Sequence, residues 1–231
     1  MWGFDFVDDD GRLGGFVALS FLASARRAWY WAGLVGAGRP YLLVRDLTLS
    51  LPRRPGSREV RGDGLWADVN CETPHDHWSI GLEAFGVALD DPADALGDER
   101  GNRIGLGLDL EWDAAGEVVG AAGDYEQFCR VHGEVLVGVG RDIETVLVAG
   151  QGWRRHTWGA VNWAATPWSL RGGTADGRPF VARTPSPAVE VLHRAPLRLG
   201  DDDGSGHLER TLVSFADPAG FGWTQVARFE C

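Results

Sequence analysis

The residues best suited to chemistry fall in two short segments. The denser one runs Gly150-Gln151-Gly152-Trp153-Arg154-Arg155-His156-Thr157-Trp158-Gly159 and continues to Asn162-Trp163. Extended backbone sends successive side chains to opposite faces. Arg154, His156 and Trp158 therefore share one side of a strand here, and Trp153, Arg155 and Thr157 the other. An imidazole beside a guanidinium on an aromatic wall suits acid–base work or the polarising of a developing oxyanion. Burial next to Arg154 keeps such a histidine neutral near pH 7, as a base or a hydrogen-bond donor. The same residues also fit a structural corner, with arginine stacked on tryptophan and histidine satisfying a carbonyl.

The second segment is Asp68-Val69-Asn70-Cys71-Glu72-Thr73-Pro74-His75-Asp76-His77-Trp78. His75 and His77 share a side if extended, with Glu72 nearby, but proline interrupts the run and no third histidine sits at ligand spacing. No metal centre is expected. The expectation is a hydrogen-bonded loop that sets Glu72 and His77 at the mouth of a pocket. Asp109 and Glu111 alternate with Leu108 and Leu110, the mark of a strand with one wet face more than of a hydrolase carboxylate pair.

These segments belong to a chain of 231 residues with 22 basic and 33 acidic side chains, a net charge of -11. That charge repels phosphate backbones and argues against nucleic acid and anionic membrane as partners. Every basic residue is arginine, so no lysine is present for Schiff-base, pyridoxal-phosphate or phosphate-loop chemistry. Cys71, Cys129 and Cys231 are odd in number and widely spaced, which supports neither a zinc knuckle nor a disulfide framework. The start Met1-Trp2-Gly3-Phe4-Asp5 lacks the pattern of a signal peptide, and the apolar stretch Leu13 to Gly38 is broken by Arg26 and Arg27. A cytoplasmic protein without a membrane span is expected.

The elements that position the chemistry read as β. Short apolar or alternating runs recur between glycine, aspartate and proline turns: Phe16–Phe21, Trp29–Val35, Tyr41–Val44, Leu47–Leu51, His77–Val87, Gly105–Trp112, Val131–Val137, Thr145–Ala149, and several more to Phe229. Their spacing predicts an all-β sandwich or barrel. Asp91-Pro92-Ala93-Asp94-Ala95-Leu96-Gly97 predicts one or two helical turns. Asp9-Asp10-Gly11-Arg12 echoes Ala175-Asp176-Gly177-Arg178, and His77-Trp78 echoes His156-Thr157-Trp158. These echoes suggest two related units, residues 1–125 and 126–231, or one intertwined domain. The 11 tryptophans fit either a packed core or an aromatic-lined cavity.

Several motifs carry a resemblance. Trp2-Gly3-Phe4-Asp5-Phe6 with Gly11-Arg12-Leu13-Gly14-Gly15, Trp29-Tyr30-Trp31, Cys71-Glu72-Thr73-Pro74 and Gly107-Leu108-Asp109-Leu110-Glu111-Trp112 resemble an actinobacterial branch of lipocalin-like proteins. So does Gly150-x-Gly152-x-Arg154-x-His156-x-Trp158-Gly159. The wider superfamily includes carotenoid hydratase (hydroxyneurosporene synthase) and lipocalin-like Diels–Alderases. The resemblance implies two adjoining calycin-type antiparallel β units with minimal helix. It also implies an apolar pocket that hydrates, cyclises or isomerises a polyene or terpenoid without a cofactor. Arg155 and Thr157 stand where the pattern has aspartate and serine, and Val161-Asn162-Trp163 where it has arginine and aspartate before the tryptophan. These departures weaken acid-catalysed hydration. His156 and Arg154 are the expected polarising or protonating pair, with Glu72 and His77 holding a polar end. Trp29, Trp31, Trp78, Trp158, Asn162 and Trp163 are the expected substrate wall. A non-catalytic carrier of a hydrophobic ligand is the alternative.

Overall fold

In a computed structural model the chain forms two antiparallel sheets, described for all residues except 122, 160–167, 186–187, 200–205 and 230–231. The first holds β1 (Trp2–Asp8), β2 (Leu13–Leu22), β3 (Arg27–Gly36), β4 (Tyr41–Ser50), β5 (Val60–Gly62), β6 (Leu65–Thr73), β7 (His77–Leu89), β8 (Asn102–Ala121), β9 (Asp124–Val139) and β10 (Asp142–Thr157). Its order is β4-β3-β2-β1-β10-β9-β8-β7-β6-β5, and Tyr41–Leu43 of β4 also pairs with Val87–Leu89 of β7. That extra pairing closes a ring of eight strands at one end. At the other end β6 and β5 wedge between β7 and β4, so the ring is wider there. Closure at that end removes the exposed strand edges that an open sheet would present there.

The alternation seen in the sequence decides what fills the ring. Phe4 and Phe6 of β1, Val17 and Leu19 of β2, Trp78, Ile80 and Leu82 of β7, and Leu108, Leu110 and Trp112 of β8 pack together as one buried cluster. Their neighbours in sequence point outward. The closing seam is β1 on β10, with Trp2 opposite His156 and Phe6 opposite Gly152. A Cβ on Gly152 would lie 1.9 Å from the Asp5 carbonyl oxygen, so only glycine lets the two strands approach this closely.

The second sheet is built from β11 (Ser169–Thr174), β12 (Pro179–Ala182), β13 (Val189–Arg194), β14 (Leu197–Leu199), β15 (Gly206–Ala216) and β16 (Ala219–Phe229). It covers the outer face of the first strands, where Val7, Phe16, Ala18, Trp31, Leu212 and Trp223 form a second buried cluster. Charges also cross this layer, all buried except the half-exposed Arg183. Arg210 reaches Asp5 at 3.1 Å, and Arg171 and Arg183 both reach Glu126 at 2.6 Å. Burial raises the Asp5 carboxyl above its ordinary range, with Arg210 and Arg171 opposing it.

The all-β class is as the sequence indicates. The two runs Tyr41–Val44 and Leu47–Leu51 fall in one strand, β4, which ends at Ser50: Arg45 and Asp46 between them stay paired with Trp31 and Tyr30 of β3. Strands β1, β5, β6 and β14 were not among the runs read from the sequence. The expected helical turn is a short 3-10 segment, Pro92–Leu96, capped by the Asp91 side chain on the Ala93 amide at 2.9 Å. The first sheet ends at Thr157 and the second begins at Ser169, while residues 125 and 126 are neighbours within β9. Among the described residues, no helix is long and apolar enough to cross a membrane.

Candidate functional site

The wide end of the ring gathers the starts of β1, β7 and β9 and the end of β10. Register alone brings their inward side chains together: Trp2 faces His156, His156 faces Tyr125, and Arg154 lies between Phe4 and Gln127. The His156 imidazole stacks on Trp2 with centroids 4.7 Å apart and packs against Trp158 at 4.0 Å. Tyr125 closes the group, edge-on to His156 at 5.8 Å and 5.5 Å from Trp158. Burial pushes the His156 ring down to about 4, with the positive charge of the Met1 amino terminus, then of Arg58 and Arg154, adding to it. The ring is therefore neutral at physiological pH, one nitrogen a donor and the other an acceptor.

A cavity of about 570 Å³ opens at this rim, lined by Trp2, Phe21, Trp29, His156 and Trp158 among others. Its volume lies within the range of ordinary small-molecule sites, roughly 300–1,000 Å³. Trp158 is 54% exposed, a large aromatic face turned to solvent at the entrance. The tip of the β2–β3 hairpin supplies Ala23 and Ser24 to the lining, and Arg26 takes a φ of 52° to make that tight turn.

Arg154 sits deeper, 2% exposed. Its Nε donates to Gln127 Oε1 at 2.9 Å, its Nη2 donates to the same oxygen, and its Nη1 reaches the Tyr125 hydroxyl at 3.4 Å. The guanidinium also lies over the rings of Trp78 at 5.3 Å and Tyr125 at 5.5 Å. Gln127 serves Arg154 with its oxygen because its amide nitrogen is engaged elsewhere, donating to the carbonyls of His75 at 3.1 Å and Gly116 at 2.9 Å.

Of the residues singled out in the sequence, Arg154, His156, Trp158, Trp29 and Trp78 meet at or below this rim. Glu72 and His77 do not. Trp78 points into the ring, so its neighbour His77 must point out, and it stands in a polar cluster on the outer face. There its Nδ1 meets Asp113 at 2.6 Å and its Nε2 meets Glu111 at 2.8 Å, while Asp113 also meets His132 at 2.9 Å. The hydrogen bond to Asp113 holds His77 above its ordinary pKa, and the same bond lowers Asp113. Glu72 accepts from Asn70 at 2.6 Å and Ser79 at 3.1 Å on that face. Trp31 belongs to the layer between the sheets. Asn162, Trp163 and Cys231 lie outside the described residues. Among the described residues no His, Cys, Asp and Glu side chains are grouped to hold a metal.

Trp2, Tyr125, Gln127 and Arg58 were not assigned to the site from the sequence. The signal was present for two of them. Tyr125 and Gln127 alternate around Glu126 as His156 and Arg154 alternate around Arg155, and the two runs are paired strands.

The family model described as Domain of unknown function (DUF7064) matches residues 2–184. No curated protein matches the sequence. Among solved structures, an AttH-type protein from Nitrosomonas europaea superposes with a TM-score of 0.50 at 12% identity, covering 97% of this chain and 91% of that one. Kievitone hydratase from Nectria haematococca gives 0.49 at 11% identity, covering 99% and 88%. CghA with Sch210972 gives 0.41 at 11%, covering 99% and 87%. At 12% identity the likeness to the Nitrosomonas protein concerns the fold alone and says nothing of the chemistry.

Proposed function

The chain belongs to the family described as Domain of unknown function (DUF7064), and we propose that it is a cofactor-independent enzyme acting on a hydrophobic small molecule. The reading rests on one observation. A cavity of about 570 Å³ at the ring's wide end places a neutral imidazole, His156, against the faces of Trp2 and Trp158. Aromatic walls hold a flexible apolar chain in a folded, reactive conformation and stabilise developing positive charge on it. Substrates of polyene or terpenoid type suit such walls. Reactions driven by folding, cyclisation and isomerisation above all, need little proton transfer. A ring titrating near 4 is a weak base and is unprotonated at neutral pH, so His156 acts by hydrogen-bonding to a polar substrate group. Hydration is the least suited of the three reactions, because it needs a proton donor.

A carrier without chemistry is the second reading, and it too has a specific support. Asp124, the acidic group that His156 feels, is already bound by Arg155 at 3.2 Å and Thr157 at 2.9 Å. No carboxylate among the described residues is free to orient the imidazole for proton transfer.

The deciding experiment is a native mass spectrum of the purified protein followed by solvent extraction of what it carries. The extracted molecule, or a polyene library if none is found, is then incubated with fresh protein. A new product, formed slowly or not at all by His156→Ala while binding is kept, supports the enzyme. Tight binding with the molecule recovered unchanged establishes the carrier.

A further inference from the structure

The mouth of the ring contains a charge arrangement that the apolar-pocket reading leaves unexplained. Among the described residues three arginines, Arg154, Arg171 and Arg210, are almost fully buried. Arg171 and Arg210 each face a carboxylate, Glu126 at 2.6 Å and Asp5 at 3.1 Å. Arg154 faces none. Its hydrogen-bond acceptors are the neutral amide of Gln127 and the neutral hydroxyl of Tyr125. A glutamate at position 127 would supply that charge, but at the loss of the two bonds donated to the His75 and Gly116 carbonyls.

Arg58 doubles the charge. Its guanidinium lies 5.2 Å from the Trp78 ring centroid and 5.8 Å from that of Trp2, the same Trp2 that lines the cavity. Its Nε is spent on the Val69 carbonyl at 2.7 Å. Its two terminal nitrogens have no partner among the described residues. Both guanidiniums approach the Trp78 ring, whose indole N–H is buried without an acceptor among the described residues. The neighbouring acids are committed or remote. Asp124 is held by Arg155 and Thr157, Asp113 by His77 and His132, and Glu72 by Asn70 and Ser79. Asp68 is felt by Arg58 but lies beyond ion-pair distance.

A buried guanidinium without a counter-charge is costly, and a buried donor without an acceptor adds to the cost. A protein of net charge -11 has carboxylates to spare, yet its folded ring leaves this pole positive. We infer that the site takes an amphipathic organic anion, its apolar body in the Trp-lined cavity and its carboxylate at Arg58, beside Trp2 and under the uncompensated positive charge of Arg154. The inference builds on the pocket reading above and narrows its ligand class. A carboxylate there gives the two free terminal nitrogens of Arg58 a charged acceptor and offsets the uncompensated charge of Arg154. The downward shift of His156 comes first from burial and then from the Met1 amino terminus, with Arg58 and Arg154 adding to it.

Calorimetric titration of the intact protein with decanoate and with decanol, at low salt near pH 7, tests this. The two probes share a chain length and differ in the charge of the headgroup. The expected result is that decanoate binds about tenfold or more tightly than decanol. Arg58→Gln, a change at a half-buried side chain without an ion pair, should then cut that preference to about threefold or less while leaving decanol unaffected. Gln127→Glu, checked for folding by circular dichroism, should lower it as well by supplying the missing negative charge internally. Equal affinities overturn the inference, as does a preference that survives Arg58→Gln. If decanol binds and is lost in Trp158→Ala while decanoate binds no better, the anion site fails and the apolar cavity stands. If neither probe binds, the cavity reading itself fails and takes the inference with it.

Discussion

The buried imidazole makes a quantitative claim about pH. An ordinary histidine titrates near 6.5, and His156 is pushed down to about 4. The folded state thus binds fewer protons than the unfolded chain between those values, and stability must fall as pH falls through that window. The full gap corresponds to about 3.4 kcal/mol, of which about 2 kcal/mol is expressed at pH 5. The ring is half-buried, so solvent screening reduces the expected loss to about 1 kcal/mol. Urea unfolding of wild type and His156→Gln at pH 7.5 and pH 5 isolates the effect, because every other titrating group is common to both. Wild type should lose about 1 kcal/mol more than the variant on acidification. Parallel losses in the two proteins would refute the burial argument and with it the claim that His156 enters any reaction neutral.

Two further outcomes follow from the charged clusters. His77 has the opposite sign to His156: its raised pKa adds stability that is present below about pH 6.5 and lost as pH rises through the folded value. Its NMR titration midpoint should lie above that of a free histidine and fall in Asp113→Asn, and an unchanged midpoint would dissociate the pair. Glu126→Gln should destabilise the protein by about 3 kcal/mol in urea, since it leaves Arg171 buried with a weakened partner between the sheets. A loss below about 1 kcal/mol would mean that apolar packing alone joins the layers.

What the sequence disclosed, and what it hid, follows from the period-two geometry of strands. Arg154, His156 and Trp158 were legible as a shared face because alternation is a local property, and the same rule seats Arg154 inside the ring with His156 and Trp158 at its mouth. The rule also separates His77 from Trp78, adjacent residues on one strand, so the two could not both face a cavity. The expectation that Glu72 and His77 guard the pocket treated their segment as a loop, whereas β6 and β7 carry it as paired strands. Strand β6 was hidden because its outward residues Asp68 and Asn70 dilute an inward Leu65, Ala67, Val69 series. The partners of Arg154 were hidden for a different reason. Gln127 and Tyr125 come from a strand some thirty residues earlier, and only the register of β9 on β10 brings them across. Trp31 shows the complementary error, since a wall residue and a core residue look alike until the second sheet is laid over the first strands.

The seam between β1 and β10 also has a consequence in time. It joins residues as far apart as Trp2 and His156, which pair side by side. During synthesis at about 5–20 residues per second, β1 emerges roughly 8–30 s before its partner strand exists. In that interval the early strands hold a meander whose inner face, with Phe4, Phe6 and Leu19 destined for burial, is open to water. One edge of β1 is sheltered by β2 and the other waits. The last stitch of the ring is thus its longest in sequence, the step with the largest loop-closure entropy. Until Gly150 and Gly152 dock, the nascent chain is most open to pairing with a neighbour.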